Sequence, residues 1–65
     1  MARGYGRQIE RLLRDAGCSF VRHGKGDQEI WYSPISNPHF VFDRSVRVRH
    51  TANGILQDAG RPKAF

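Results

Sequence analysis

The chain has 65 residues, one cysteine and a formal net charge of +5, and nine of its eleven basic residues are arginine. We assign residues 1–65 to one domain, which is too small to enclose a large cofactor. Cys18 is the only cysteine of the sequence, so the chain has neither an internal disulfide nor the cysteine clusters that usually hold a metal. We therefore expect no cofactor and no metal. The excess of basic residues favours a nucleic acid or an acidic protein surface as partner. The sequence has no long apolar run and no signal-peptide core, which predicts a cytoplasmic protein without a membrane span.

The first predicted element is a helix that begins near Arg7. Apolar side chains recur on one of its faces, at Tyr5, Ile9, Leu12, Leu13 and Ala16. Gly17 follows the last of them and suits a left-handed C-cap. The opposite face is basic, and Glu10 is spaced to pair with Arg14 one turn later. This basic face is either a solvated surface or a surface that contacts phosphates.

The next segment has the pattern of a β-hairpin. Two β-prone runs, Cys18–His23 and Gln28–Ser33, flank the turn-forming residues Gly24–Asp27. A four-residue loop then gives three cross-strand pairs: Phe20 with Trp31, Arg22 with Glu29, and His23 with Gln28. In this register Arg22 shares a face with Phe20, and His23 shares the other face with Gln28. Because both faces carry aromatic side chains, the pattern leaves open which of them meets the core.

Residues 34–65 complete the fold with a loop, a third strand and a second helix. Pro34–Pro38 is predicted to be a loop, because two prolines in five residues do not fit a central strand. His39–Phe42 is the third strand, and an irregular extended segment continues to His50. Thr51 is the predicted N-cap of a helix whose apolar positions are Ala52, Ile55, Leu56 and Ala59. The basic tail after Gly60 is expected to be disordered unless Phe65 docks.

The element order is therefore helix, strand, strand, strand, helix. The simplest packing is an α+β fold, in which an antiparallel three-stranded sheet carries both helices on one face.

Three segments of the chain carry a resemblance to a known protein family. They read L-L-R-D-A-G at residues 12–17, V-R-x-G-K-G-D-x-E-I-W-Y-S-P at residues 21–34, and R-H-T-A-N-x-I-L-x-D-A-G at residues 49–60. In order and spacing they resemble the HicA (YcfA-like) family of bacterial toxins. The resemblance implies a fold like a double-stranded-RNA-binding domain. It also implies metal-independent endoribonuclease cleavage of mRNA and neutralisation by a HicB antitoxin.

One residue departs from the family pattern. The family places a catalytic histidine directly after the turn, in a G-S-H or G-D-H triplet, whereas this chain has Gly26, Asp27 and Gln28. Cleavage through the ribose 2′-OH needs a group that takes up a proton near neutral pH, which histidine does and a glutamine amide does not. The resemblance thus predicts a toxin fold with its RNA and antitoxin surfaces but with little or no cleavage. Gln28 is either a deliberate inactivating substitution, natural decay, or a natural variant with a shifted active site.

The same hairpin supplies the other candidate site residues. His23 is either a relocated base or an exposed strand-end histidine without a catalytic role. Arg22 and Lys25 are candidates for phosphate binding, although Glu29 is an alternative partner for Arg22. Gly26 belongs to the candidate RNA surface or only serves the turn, and Trp31, like its neighbour Tyr32, either stacks on a base or belongs to the core. The alternative function is a non-catalytic module with the same fold that binds RNA or protein.

Overall fold

The computed structural model describes residues 4–35 and 39–65, which form two helices and three strands. The helices are α1 (Gly6–Asp15) and α2 (Arg49–Asp58), and the strands are β1 (Ser19–His23), β2 (Gln28–Tyr32) and β3 (His39–Asp43). The strands form one antiparallel sheet in the order β1-β2-β3. This layout confirms the predicted α+β fold. Residues 36–38 of the predicted loop lie outside the described residues.

The amphipathic pattern of α1 has the predicted effect on packing. Ile9 and Leu13 are fully buried, while the other apolar positions of the same face are half-buried. The helix ends at Asp15, and Gly17, which follows the C-cap residue Ala16, has a φ of +89°, the left-handed conformation that glycine adopts at little cost. On the outer face, Arg14 Nε donates to Glu10 Oε2 over 3.0 Å, which confirms the predicted i,i+4 pair.

The two faces of the sheet have different surroundings. One face packs on both helices and supplies Trp31, Phe40 and Phe42 to a single core with Ile9, Leu13, Val46 and the apolar face of α2. We call the other face the open face, because no helix of the described chain covers it. Tyr32 and Val41 lie on the open face and are 41% and 46% exposed. Neither helix in the described ranges is long and apolar enough to cross a membrane.

Helix α2 begins earlier than predicted. Val48 has extended backbone angles and occupies the N-cap position, and its side chain makes no capping hydrogen bond. The prediction of Thr51 as N-cap is therefore wrong, since Thr51 lies inside the first turn. The apolar period did not mark this turn because its three residues, Arg49, His50 and Thr51, are all exposed.

The C-terminal tail is held against the helices. The amide of Asn53 donates to the Phe65 carbonyl over 3.1 Å and accepts from the backbone N–H groups of Ala64 and Phe65 over 3.2 and 3.1 Å. The Phe65 ring packs on Tyr5 with 4.7 Å between ring centroids. Docking of Phe65 is thus confirmed, and a buried asparagine on α2 binds the tail backbone.

Candidate nucleic-acid interface

The turn between β1 and β2 is compact and exposed. Gly24 N donates to the Gln28 carbonyl over 2.7 Å, and Gln28 N donates to the Lys25 carbonyl over 3.0 Å. Gly26 has a φ of +59°, a conformation that favours glycine, so the turn requires it for its backbone. The backbone N–H of Arg44 donates to the Asp27 carbonyl over 3.0 Å and ties the turn to the segment after β3. The side chains of Lys25, Asp27 and Gln28 are exposed.

A β-bulge at Val21 changes the register of the hairpin. Phe20 pairs with Trp31 as predicted, but Arg22 then pairs with Ile30 instead of Glu29. The predicted pairs of Arg22 and His23 are therefore wrong by one residue. The physical reason is that the bulge places an additional residue on β1, so that two residues of this strand lie opposite one residue of β2.

The bulge separates His23 from Gln28. His23 pairs with Glu29, whose side chain is buried on the helix-covered face, and the His23 ring lies 5.1 Å from the ring of Phe20 on that same face. Gln28 precedes Glu29, and successive side chains of a strand point to opposite faces, so Gln28 belongs to the open face. The prediction that His23 and Gln28 share one face is corrected accordingly, and the two residues do not face a common phosphate in this structure.

Three cross-strand pairs follow one another on the open face. They are Gln28 with Asp43, Ile30 with Val41, and Tyr32 with His39. The carboxylate of Asp43 accepts from the backbone N–H and the hydroxyl of Ser45 over 3.0 and 2.7 Å, which holds it in place. Asp43 and His39 were absent from the predicted site, because their positions opposite Gln28 and Tyr32 depend on the β2–β3 register, which residue types alone did not reveal.

The predicted RNA-binding residues fall into two groups. Arg22, Lys25 and Gly26 are exposed, with Arg22 beside the open face and the other two at the turn. Trp31 is fully buried, so its assignment to the RNA surface is corrected: the indole belongs to the core and has no free face on which a base can stack. The exposed aromatic residue of β2 is its neighbour Tyr32.

A network of charged side chains explains the burial of Glu29. Its carboxylate accepts from Arg44 Nε over 3.0 Å and from Trp31 Nε1 over 2.9 Å. Arg44 also donates to Glu10 over 2.8 Å, and the guanidinium of Arg14 lies 5.0 Å from the Trp31 ring centroid. The network thus joins α1, β2 and the segment after β3. Glu29 is consequently engaged with Arg44, and the predicted alternative of an Arg22–Glu29 pair is wrong.

The network lowers the pKa values of its two carboxyl groups. The hydrogen bond from Arg44 holds the pKa of Glu29 below its ordinary value of 4.5, although burial acts in the opposite direction. Hydrogen bonds from Arg44 and then Arg14 do the same for Glu10. Because each folded-state pKa is lowered, the stabilisation is complete above the unfolded-state pKa near 4.5 and is lost as the pH falls through the folded-state value.

We expect Glu29→Gln to lower the free energy of unfolding by about 2 kcal/mol at pH 7, because it removes the charge that a partly buried Arg44 requires. The difference from the parent chain should shrink as the pH falls below 4.5, where Glu29 itself becomes neutral. Urea unfolding at several pH values measures both effects.

Glu10→Gln is the matched control, since it removes the same charge from the same network at a more exposed position. We expect it to cost about 1 kcal/mol or less. A loss for Glu29→Gln that does not change with pH would contradict the electrostatic origin.

Comparison with family models, with characterised proteins and with solved structures gives no match for this chain. In the described part of the chain, no three histidine, cysteine, aspartate or glutamate side chains are grouped so that they could hold a metal ion. The candidate site is an exposed glutamine on the open face, next to the turn that carries Lys25 and Asp27.

Proposed function

We propose that this chain is a HicA-type toxin domain that binds mRNA and a HicB antitoxin and has little or no endoribonuclease activity. The observation that carries the proposal is the position of Gln28: it is exposed, it lies on the open face, and it directly follows the turn that carries Lys25. The side chain at position 28 can therefore contact an RNA phosphodiester without any change in the fold. The order α-β-β-β-α and the three sequence segments support the same family.

The chemistry of residue 28 decides between binding and cleavage. In-line cleavage of RNA needs a group that removes the proton of the 2′-OH and a group that protonates the leaving oxygen. The amide of Gln28 donates and accepts hydrogen bonds but exchanges no proton near neutral pH. His23 does not replace it, because the bulge places His23 on the other face. We therefore assign Gln28 to RNA contact without acid–base chemistry.

The charges around the turn suit both proposed partners. Lys25 is exposed at the tip of the turn, and Arg22 lies beside the open face without an ion pair to Glu29. Both can contact phosphates, and an acidic antitoxin surface that covers Lys25 and Gln28 would exclude RNA from the same place. The second candidate function, a non-catalytic module with the same fold that binds RNA or protein, is favoured by the same glutamine.

The proposal predicts binding without cutting. A labelled single-stranded mRNA fragment is mixed with the purified chain, free of antitoxin, and both the bound fraction and the length of the RNA are measured. We expect an affinity that falls as the salt concentration rises, with the RNA intact. Efficient cutting, or no binding even at low salt, would contradict the proposal.

Two lysine variants give the binding test a matched control. We expect Lys25→Ala to weaken RNA binding and to lower the salt dependence by about one ion. Lys63→Ala removes the same charge from the exposed tail and should leave the affinity close to that of the parent chain. Equal losses in the two variants would show that net charge alone drives binding.

A further inference from the structure

The open face contains a shallow groove beside the candidate site. Its volume is about 490 Å³, and it is lined by Val21, Arg22, Ile30, His39, Phe40 and Val41. This volume lies in the range of about 300–1,000 Å³ that small-ligand sites occupy. Val21 and Val41 are 44% and 46% exposed, so the groove has an accessible apolar floor.

Two paired rings lie on the open face beside this groove, and one of them, His39, lines it. Tyr32 and His39 pair directly across β2 and β3, with 6.0 Å between their ring centroids and 66° between their planes. Both side chains are exposed. An edge-to-face pair of this kind holds the tyrosine ring in one orientation and leaves it open to solvent, which suits a planar partner that stacks.

The β-bulge adds a cation to the same groove. Because Val21 and Arg22 both lie opposite Ile30, the bulge presents two consecutive side chains to the open face instead of one. Arg22 is thereby available to an anion beside the apolar floor. No acidic side chain lines the groove among the described residues.

We propose that this groove and the Tyr32 ring beside it bind a nucleotide of single-stranded RNA, with the base stacked on Tyr32 and the phosphate held by Arg22. The inference rests on the proposed RNA-binding function and names a binding site for it. Tyr32 and Gln28 share the open face and are four residues apart on β2, or about 13 Å. A strand that stacks on Tyr32 therefore reaches Gln28 within a few nucleotides.

The chemistry of the groove favours RNA over an acidic protein segment. An exposed aromatic ring, an apolar floor and one arginine form the combination that binds unpaired bases and their phosphates. An acidic peptide would gain from Arg22, but its carboxylates have no aromatic face that stacks on Tyr32. The two occupants therefore respond differently to changes in the ring.

The test measures the affinity of the full chain for a short labelled single-stranded RNA of mixed sequence and for an abasic oligomer with the same phosphates. We expect Tyr32→Leu to weaken RNA binding at least about fivefold, because stacking on an aromatic ring is lost, and Tyr32→Phe to restore it. The abasic oligomer should bind more weakly and should not distinguish these variants. Circular dichroism confirms that each variant is folded.

A pair of arginine variants tests the second half of the site. Arg22→Ala should weaken RNA binding severalfold, whereas Arg7→Ala, which removes the same charge from the exposed surface of α1, should change it little. Equal effects of the two variants would overturn the role of Arg22.

The remaining outcomes separate this inference from the proposed function. RNA binding by the parent chain that is indifferent to Tyr32→Leu overturns the base site and leaves the proposed function standing. Displacement of RNA by polyglutamate, together with indifference to Tyr32→Leu, assigns the groove to an acidic partner and overturns the inference. A parent chain that binds no RNA overturns both.

Discussion

Gln28→His is expected to raise the rate of RNA cleavage by about 10²–10⁴-fold over the parent chain, because it introduces a group that exchanges protons near neutral pH. The backbone at residue 28 is already held by hydrogen bonds to Gly24 and Lys25, so the new side chain enters an ordered position on the open face. Cleavage of a generic mRNA by the two purified proteins, free of antitoxin, measures the effect.

The pH dependence of this variant gives a second readout. Asp43 faces residue 28 across β2 and β3, and a carboxylate opposite an imidazole favours the charged form of the imidazole. If the imidazole acts as a base, the rate should rise with pH through a midpoint above the ordinary histidine pKa of about 6.5. Adding Asp43→Asn should move that midpoint to lower pH while the fold persists.

The control for Gln28→His is His23→Ala in the same background. Because His23 lies on the helix-covered face, we expect it to leave the restored activity nearly unchanged. Equal cutting by the parent chain and by Gln28→His would show that residue 28 does not supply the chemistry and would overturn its assigned role. If neither protein cuts, the non-catalytic binding module becomes the better description.

Trp31→Ala is expected to leave the chain largely unfolded at 25 °C. Truncating a large buried aromatic residue costs about 3–5 kcal/mol, and a domain of this size has a total stability of roughly 3–10 kcal/mol. The indole is fully buried and meets the ring of Phe42 at 5.8 Å between centroids. Its loss also removes a hydrogen-bond donor from Glu29 and a surface under Arg14. Thermal and urea unfolding followed by circular dichroism measure the loss.

The adjacent residue provides the matched control. Tyr32 belongs to the same strand and is also aromatic, but it lies on the open face and is 41% exposed. We expect Tyr32→Ala to cost about 1 kcal/mol or less, since it opens no cavity in the core. Similar losses for the two variants would contradict the assignment of the two faces of β2.

Local sequence patterns predict the helices and strands of this fold well, but they do not predict the contacts between them. The apolar period identified α1, and the i,i+4 spacing identified the Glu10–Arg14 pair, because both depend only on helix geometry. The ion pair between Glu29 and Arg44 joins residues 15 positions apart in different elements, and no spacing rule predicts it. For this reason the sequence suggests Arg22 as a partner of Glu29, whereas the structure pairs Glu29 with Arg44.

The candidate site shows the same division. Gly24–Asp27 was recognisable as a turn because its residue types favour one. The bulge at Val21 has no such signature, since valine is an ordinary strand residue. The predicted partners of Arg22 and His23 are therefore wrong by one residue. The burial of Trp31 followed from which face the helices cover, a choice that aromatic residues on both faces left open.

The β-bulge adds one residue to β1, and this residue, Val21, lines the groove. Deleting Val21 would restore a regular ladder in which Phe20, Arg22 and His23 keep their partners on β2 and therefore their faces. The additional residue thus gives the open face one more side chain without changing the face of any residue that follows it. A chain without this residue would keep Arg22 opposite Ile30 and would lose only the apolar side chain that Val21 adds to the groove.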